Sequence, residues 1–298
     1  MSRLDDSRIG DSPRIFVLAT VRNCEKTLGS SIGDIERFVG GQTVSQWFIV
    51  ESDSEDKTVE TLAQLSVEVS GFRFESLGAL RHTVPDRVKR IAIARQRALE
   101  TAAKFIRGDD FVIVADLDGI TSSLQAGGFL RATHQLGSFD VVTANSKSFY
   151  YDILALRAKG WVEEDYRLTR QKLIDRGVSS FEAHNESLVK KQRRISHLAA
   201  PIEVQSAFGG IAIYSGKAFL AGEYESGGSF ECEHVGFHRQ LTENGYRICI
   251  DPGLVVAPEW RHVALASPPL SFLWKLLVRF GPLMPKSLAG KVSRKVFS

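Results

Sequence analysis

Phe111-Val112-Ile113-Val114-Ala115-Asp116-Leu117-Asp118-Gly119-Ile120 decides the fold of this chain, because an unbroken apolar run stops there at two carboxylates. A short Val- and Ile-rich run bounded by Gly108-Asp109-Asp110 and by Gly119 reads as a central parallel strand covered on both faces. In open α/β sheets ligands bind beyond the carboxyl ends of the strands, so Asp116 and Asp118 stand where chemistry is expected. If the strand persists, side chains two apart share a face. Two carboxylates so placed repel unless a positive charge lies between them. A hard divalent cation that also binds phosphate oxygens, Mn2+ or Mg2+, answers that need. The plain alternative is that one Asp caps the next helix and the other is solvated.

Working outward, 298 residues suffice for a full α/β core. A polar tail is expected at 1–12, one folded domain at 13–262 and a basic extension at 263–298. With 43% hydrophobic residues and no apolar run of about 18 residues, nothing is expected to span a bilayer. The N-terminal residues lack the apolar core of a signal peptide, and Cys24, Cys232 and Cys249 have no metal or disulfide spacing. Cytoplasmic residence is the expectation. A net charge of +3 is too small to point to nucleic acid.

Residues 14–20 and 46–50 are expected as strands. Each is followed by a polar loop and a helix, over 26–39, ending at Gly40-Gly41, and over 59–65. Two βα units in a row predict a mostly parallel sheet flanked by helices. A short strand at 73–77 and a long helix at 88–106 lead to the Asp116 strand. Further strands are expected at 139–144, 207–214, 246–250 and 254–257, with a charge-dense, helix-prone insertion over the sheet edge at about 162–197. A helix opening at 231 closes at Asn244-Gly245.

The strands end in polar residues: Thr20, Arg22 and Asn23; Glu51 and Asp53; Asp116 and Asp118; and the segment bearing His262. Several such ends along one sheet edge assemble a crevice. Neither G-x-G-x-x-G after the first strand nor a P-loop is present, so phosphate must be neutralised otherwise. A metal held by Asp118, with Asp116 towards the ribose or the same ion, would do so together with Arg90 or Arg95. His262 joining the two carboxylates makes an acceptable ligand set for Mn2+ or Mg2+. Cations in the first half of a helix oppose its dipole, which favours an anionic ligand over a merely solvated face.

With these residues in view, the chain resembles the GT-A class of nucleotide-sugar glycosyltransferases from about residue 14 to 262. Residues 49–58 look like the nucleoside-binding strand and loop, and 93–99 like the helix beside the diphosphate. Asp116-Leu117-Asp118 is similar to the D-x-D metal motif, and 208–214 resembles the acceptor-side glycine motif. A finer resemblance is to the fungal capsule-associated (cryptococcal-type) mannosyltransferases, through Arg90-Ile91, Ala94-Arg95, Tyr150-Tyr151-Asp152 and Cys232-Glu233-His234. It implies retention of anomeric configuration without a dedicated base; Glu233, Asp152 and His234 are the catalytic candidates, with Glu233 the general base if the reaction inverts. Thr20, Arg22, Asn23, Glu51, Asp53, Arg90, Arg95 and Asp116 would hold the donor, and Gly209, Gly210 and Trp260 would lie on the acceptor side. Where many inverting members have Glu-Asp, this chain has Glu233-His234. The implied activity is metal-dependent transfer from a GDP- or UDP-sugar to a hydroxyl of a saccharide or lipid-linked saccharide, in polysaccharide or glycan synthesis. The alternatives are a sugar-phosphate nucleotidyltransferase, which should carry a glycine-rich loop after the first strand, and a non-catalytic carbohydrate-binding protein on the same fold.

The extension places Phe272, Leu273, Leu276, Leu277 and Phe280 on one helical stripe. A second helix is expected after Pro285, with Lys286, Lys291, Arg294 and Lys295 around its apolar positions. It reads either as a helix packed on the core with a solubilising end, or as an interfacial anchor over 268–298 on an anionic membrane at the inner face of the cell membrane.

Overall fold

The structure is a computed structural model, and it describes residues 12–225, 231–267 and 270–280. The chain opens with β1 (Ile15–Val21), α1 (Leu28–Val39), β2 (Val44–Glu51), α2 (Thr58–Glu68) and β3 (Phe72–Ser76). The helix α3 (Arg87–Ala102) then delivers it to β4 (Phe111–Ala115). There follow α4 (Gly128–His134), β5 (Val141–Ser146), α5 (Tyr166–Asp175) and α6 (Ser180–Ser187). The remainder is β6 (Ile202–Val204), β7 (Ile211–Ser215), α7 (Gly216–Phe219), α8 (Glu233–Glu243), β8 (Ile248–Val256), α9 (Trp260–Val263) and α10 (Leu270–Phe280).

These strands form one sheet in the order β3-β2-β1-β4-β7-β5-β8-β6. All pairings are parallel except those of β7 with β4 and β5 and of β6 with β8. The strand alternation explains why both faces must be covered. Phe16, Leu18, Phe48, Val50, Val112 and Val114 point into a layer shared with Ala94, Ala98 and Ala102 of α3 and Phe237 of α8. Ile15, Val17, Trp47, Ile49, Ile113 and Ala115 point the other way, onto Leu28, Ile32 and Ile35 of α1 and Leu62 of α2. The helix α1 stops where expected, at Gly40 with φ 54°.

Three expectations are corrected. β4 ends at Ala115, so Asp116 and Asp118 lie in the turn beyond it and do not continue the pleat. The 207–214 stretch becomes an antiparallel β7, which brings the residues preceding it to the carboxyl edge of its parallel neighbours. The two strands expected at 246–250 and 254–257 are one strand, β8 (Ile248–Val256), whose pairing with β5 jumps from Asp251 to Val255 between Ala144 and Asn145. Pro252 and Gly253 fall in that bulge, where a missing N–H breaks no ladder bond. The insertion is helical, as α5 and α6. Among the described residues no helix is long and apolar enough to cross a membrane. The second C-terminal helix expected after Pro285 lies outside the described residues.

Behind the site, His238 of α8 is fully buried between two hydroxyls: Nδ1 lies 3.0 Å from Ser206 Oγ and Nε2 2.8 Å from Tyr214 Oη. Ser206 donates its own proton to the Ala155 carbonyl, so the neutral ring donates from Nδ1 and accepts at Nε2. Burial lowers the His238 pKa from 6.5 to about 3. The unfolded chain therefore binds one proton more than the folded one between those values, and stability falls as pH drops below 6.5. A His238→Asn variant should lose about 1.4 kcal/mol per pH unit from the slope of stability against pH between 4.5 and 6.5. Urea midpoints across that range test this, and an unchanged slope would refute it.

Candidate active site

The carboxyl ends of β1, β2, β4 and β8, the first half of α3 and the start of α8 surround one cleft of about 460 Å³. It gathers Thr20, Arg22, Asp53, Arg90, Arg95, Asp116, Asp118, Asp152, Glu233, His234 and His262, which the sequence scatters over more than two hundred positions. Gly209 and Gly210 follow the lining residue Phe208 without lining the cleft themselves, with φ 72° and 90°. A Cβ on Gly209 would meet the Ala144 carbonyl oxygen at 2.7 Å, and one on Gly210 would meet Ile120 Cδ1 at 2.6 Å. Only glycine fits both the space and the dihedral. The pair fixes two acids: Gly209 N–H donates to Asp152 Oδ2 at 2.9 Å, and the Gly210 carbonyl accepts from Asp116 N–H at 2.8 Å.

Arg95 is the centre of the charge arrangement. It is buried at 6% exposure, with Nη2 3.1 Å from Asp116 Oδ1 and Nε 3.0 Å from Glu233 Oε1. Its guanidinium also lies 5.0 Å from the centre of the Phe208 ring. Burial opposes its charge, but Asp116 and Glu233 more than offset this and hold its pKa above the ordinary arginine value. Burial raises Asp116 to about 7; Arg95 opposes the rise, while the charges of Asp118 and Glu233 add to it. Burial likewise raises the Asp152 pKa, against the N–H groups of Gly209 and Ala155. The cleft thus holds more negative charge than Arg95 compensates.

His234 stacks on Phe208 with ring centres 3.9 Å apart, and neither ring nitrogen has a hydrogen-bond partner. Burial, then the charge of Arg95, pushes its pKa well below 6.5, so it is a neutral ring lining the cleft. Asp118 is exposed, and its one hydrogen bond is the Ile120 N–H donating to Oδ1 at 3.3 Å. His262 lies against Tyr151, ring centres 5.5 Å apart. Among the described residues no three His, Cys, Asp or Glu side chains are gathered so as to hold a metal by themselves. Asp116, Asp118 and His262 share the cleft without forming such a group.

The sequence-derived donor set divides. Glu51 does not line the cleft: it is 1% exposed, its Oε1 accepts from Ser54 N–H at 2.8 Å and its Oε2 accepts from Ser76 Oγ. Asn23 also lies off it, its Oδ1 accepting from Glu55 N–H at 2.8 Å and its own N–H donating to Ser54 Oγ. Asn23 latches the β1 loop to the β2 loop, and Glu51 ties the β2 loop to the end of β3. Asp53 lines the cleft, but its carboxylate is engaged, accepting from Arg81 N–H at 2.7 Å and pairing with Arg90 Nε at 3.0 Å. Arg90 spends Nη1 on the carbonyls of Val84 and Pro85. Asn23 and Asp53 are the described non-glycine residues with positive φ, at 53° and 64°, strain of a kind that concentrates at binding loops. Trp260 is 69% exposed on α9, between the lining residues Glu259 and His262 and outside the lining itself.

Arg87 was missed. It is exposed on the cleft at the first position of α3, and among the described residues no partner is recorded for its guanidinium. The signal that drew attention to Arg90 and Arg95, a cation opposing the helix dipole, applies to Arg87 with more force. Ser52, Tyr151 and Glu259 also line the cleft unforeseen.

No family model matches the chain, and no curated protein does. Solved structures do. Residues 1–349 of TarS from S. aureus are 12% identical, with 90% of this chain and 72% of that one covered and a TM-score of 0.45. The mannosyltransferase PcManGT from Pyrobaculum calidifontis, in complex with GDP-Man and Mn2+, is 14% identical, covering 90% and 70%, with a TM-score of 0.46. Longer TarS from S. aureus is 12% identical, covering 95% of this chain and 43% of its own, with a TM-score of 0.48. At such identities the likeness concerns the course of the chain.

Proposed function

We propose that this chain is a glycosyltransferase of the GT-A kind, moving a sugar from a nucleotide diphosphate to a hydroxyl of a saccharide acceptor, free or lipid-linked. The observation that carries the reading is the cleft's charge pattern. Asp118 is an exposed carboxylate with one weak contact, and beside it Asp116 is raised to about 7 despite its ion pair with Arg95. Two hard carboxylates so placed suit Mn2+ or Mg2+ held by Asp118 and Asp116, with substrate oxygens completing the shell. Bound there, the ion supplies positive charge to the departing diphosphate.

The protein's own groups supply the rest. Arg87 and Arg22 present guanidinium groups at the cleft's edge for phosphate oxygens. Arg95, bridged between Asp116 and Glu233, fixes the distance between the donor side and the acceptor side. Asp152 is the better-placed proton acceptor for the attacking hydroxyl, since burial raises its proton affinity while Glu233 keeps Oε1 on Arg95. His234, neutral and unpartnered, offers a ring nitrogen to a sugar hydroxyl. Mannose as the transferred sugar, membership of the capsule-type family and a role in polysaccharide synthesis rest on the motif resemblance, and work in the cytoplasm or at the inner face of the cell membrane rests on the composition of the two ends of the chain.

Thermal melts with nucleotides test this. UDP or GDP with Mn2+ should raise the melting temperature more than either alone, since a ligand at about 100 times its Kd stabilises by roughly 2.7 kcal/mol. Stabilisation by nucleoside triphosphates alone would favour a nucleotidyltransferase. A response to saccharides with none to any nucleotide would overturn the proposal in favour of a carbohydrate-binding protein.

A further inference from the structure

We infer that the exposed face of α10 docks on an anionic lipid surface. The helix is held to the protein through one side. Trp274 is buried at 2% exposure, donates from Nε1 to Asn185 Oδ1 at 3.0 Å, and meets the rings of Phe181 and His184 at 6.0 and 5.6 Å. At roughly 100° per residue, Phe272 and Leu276 project about half a turn away from Trp274, with Leu273 beside them. They are 66%, 39% and 53% exposed. Lys275 and Arg279 project along one flank of that apolar band. One face of the helix is therefore a fixed joint, and the opposite face is an apolar stripe edged with cations.

Charge decides the occupant. All six charged residues of 263–298 are basic, Lys275, Arg279, Lys286, Lys291, Arg294 and Lys295, which leaves the preceding 262 residues at −3. A stretch with Phe and Leu on one face, Lys and Arg at its border and no acid is the composition of an interfacial helix on anionic lipid, where both apolar insertion and headgroup attraction contribute. Pairing of α10 with the α10 of a second copy would set equal positive charges against each other. The joint also sets where the surface would lie. α6 leads to Gln192, whose Nε2 donates to the His262 carbonyl at 2.6 Å, and His262 lines the cleft. Docking does not depend on the transfer reaction proposed above.

Co-sedimentation of the full chain with vesicles tests this. Phosphatidylcholine vesicles containing phosphatidylglycerol should bind it and pure phosphatidylcholine should not. Phe272→Glu with Leu276→Glu, both exposed positions, should abolish binding while leaving the melting temperature unchanged. Lys275→Gln and Arg279→Gln should each weaken it by about fivefold. Equal sedimentation of wild type and the double Glu variant overturns the proposal. So does a concentration-dependent dimer, seen by analytical ultracentrifugation, that the Glu variant abolishes without any vesicle binding by the wild type.

Discussion

Replacing Arg95 by methionine should destabilise the protein by about 3–5 kcal/mol, as expected when one partner of a buried ion pair is removed and the other is left uncompensated. Glu233 is 8% exposed and has no other cation within reach of Oε1, so it carries most of that loss. Asp116 contributes less, because its side chain is 33% exposed and protonation is open to it. Arg95→Lys keeps a charge but cannot reach both acids with one planar fork, and should lose about half as much. The pairing predicts non-additivity. Adding Glu233→Gln to Arg95→Met should restore roughly 1–3 kcal/mol, because the orphaned charge is then gone. Denaturant unfolding of the single and double variants measures this. A methionine variant within about 1 kcal/mol of wild type would show that the bridge is not a structural element.

Arg95 lines the cleft, as its place in the sequence predicts. Its position opposes the helix dipole, and a sequence shows the misfit without showing what resolves it. Two acids far along the chain, Asp116 and Glu233, engage Nη2 and Nε from within the protein while Nη1 stays without a hydrogen-bond partner, and Asp53 pairs with Arg90 in the same way. The same limit applies to Glu51 and Asn23. A polar residue after a strand looks alike whether it faces a ligand or ties one loop to another. By contrast, the uniformly apolar interiors of β1, β2 and β4 were legible because a strand covered on both faces leaves no other composition. That argument also hid the direction of β7. Ile211-Ala212-Ile213-Tyr214 is buried on both faces in either orientation, and nothing local distinguishes parallel from antiparallel. Pro252-Gly253 read as a turn between two strands because both residues punctuate structure, whereas the β5 partner simply skips them. In α10, the apolar stripe was read without its outlier. Trp274 makes the contact with the protein, and Phe272, Leu273 and Leu276 of the stripe are left exposed.

Asp118→Asn should reduce the proposed metal-dependent transfer by at least 10²–10³-fold, the range found when one preorganised electrostatic group is removed from a charge-developing site. Its effect on stability should stay within about 0.5 kcal/mol, because the side chain is exposed and its one hydrogen bond is a 3.3 Å contact that an amide oxygen also makes. That separation makes the variant informative where Asp116→Asn is not. Losing the Asp116 charge also unpairs Arg95, so a fall in activity there mixes chemistry with structure. The mechanism further specifies which binding step changes. Nucleotide affinity without metal should be alike in wild type and Asp118→Asn, since Arg87 and Arg22 are untouched; the gain on adding Mn2+ should disappear in the variant alone. Isothermal titration of UDP and GDP into both proteins, with Mn2+ and with a chelator, reads the two quantities separately. An Asp118→Asn protein that keeps the full Mn2+-dependent gain would remove this carboxylate from the site.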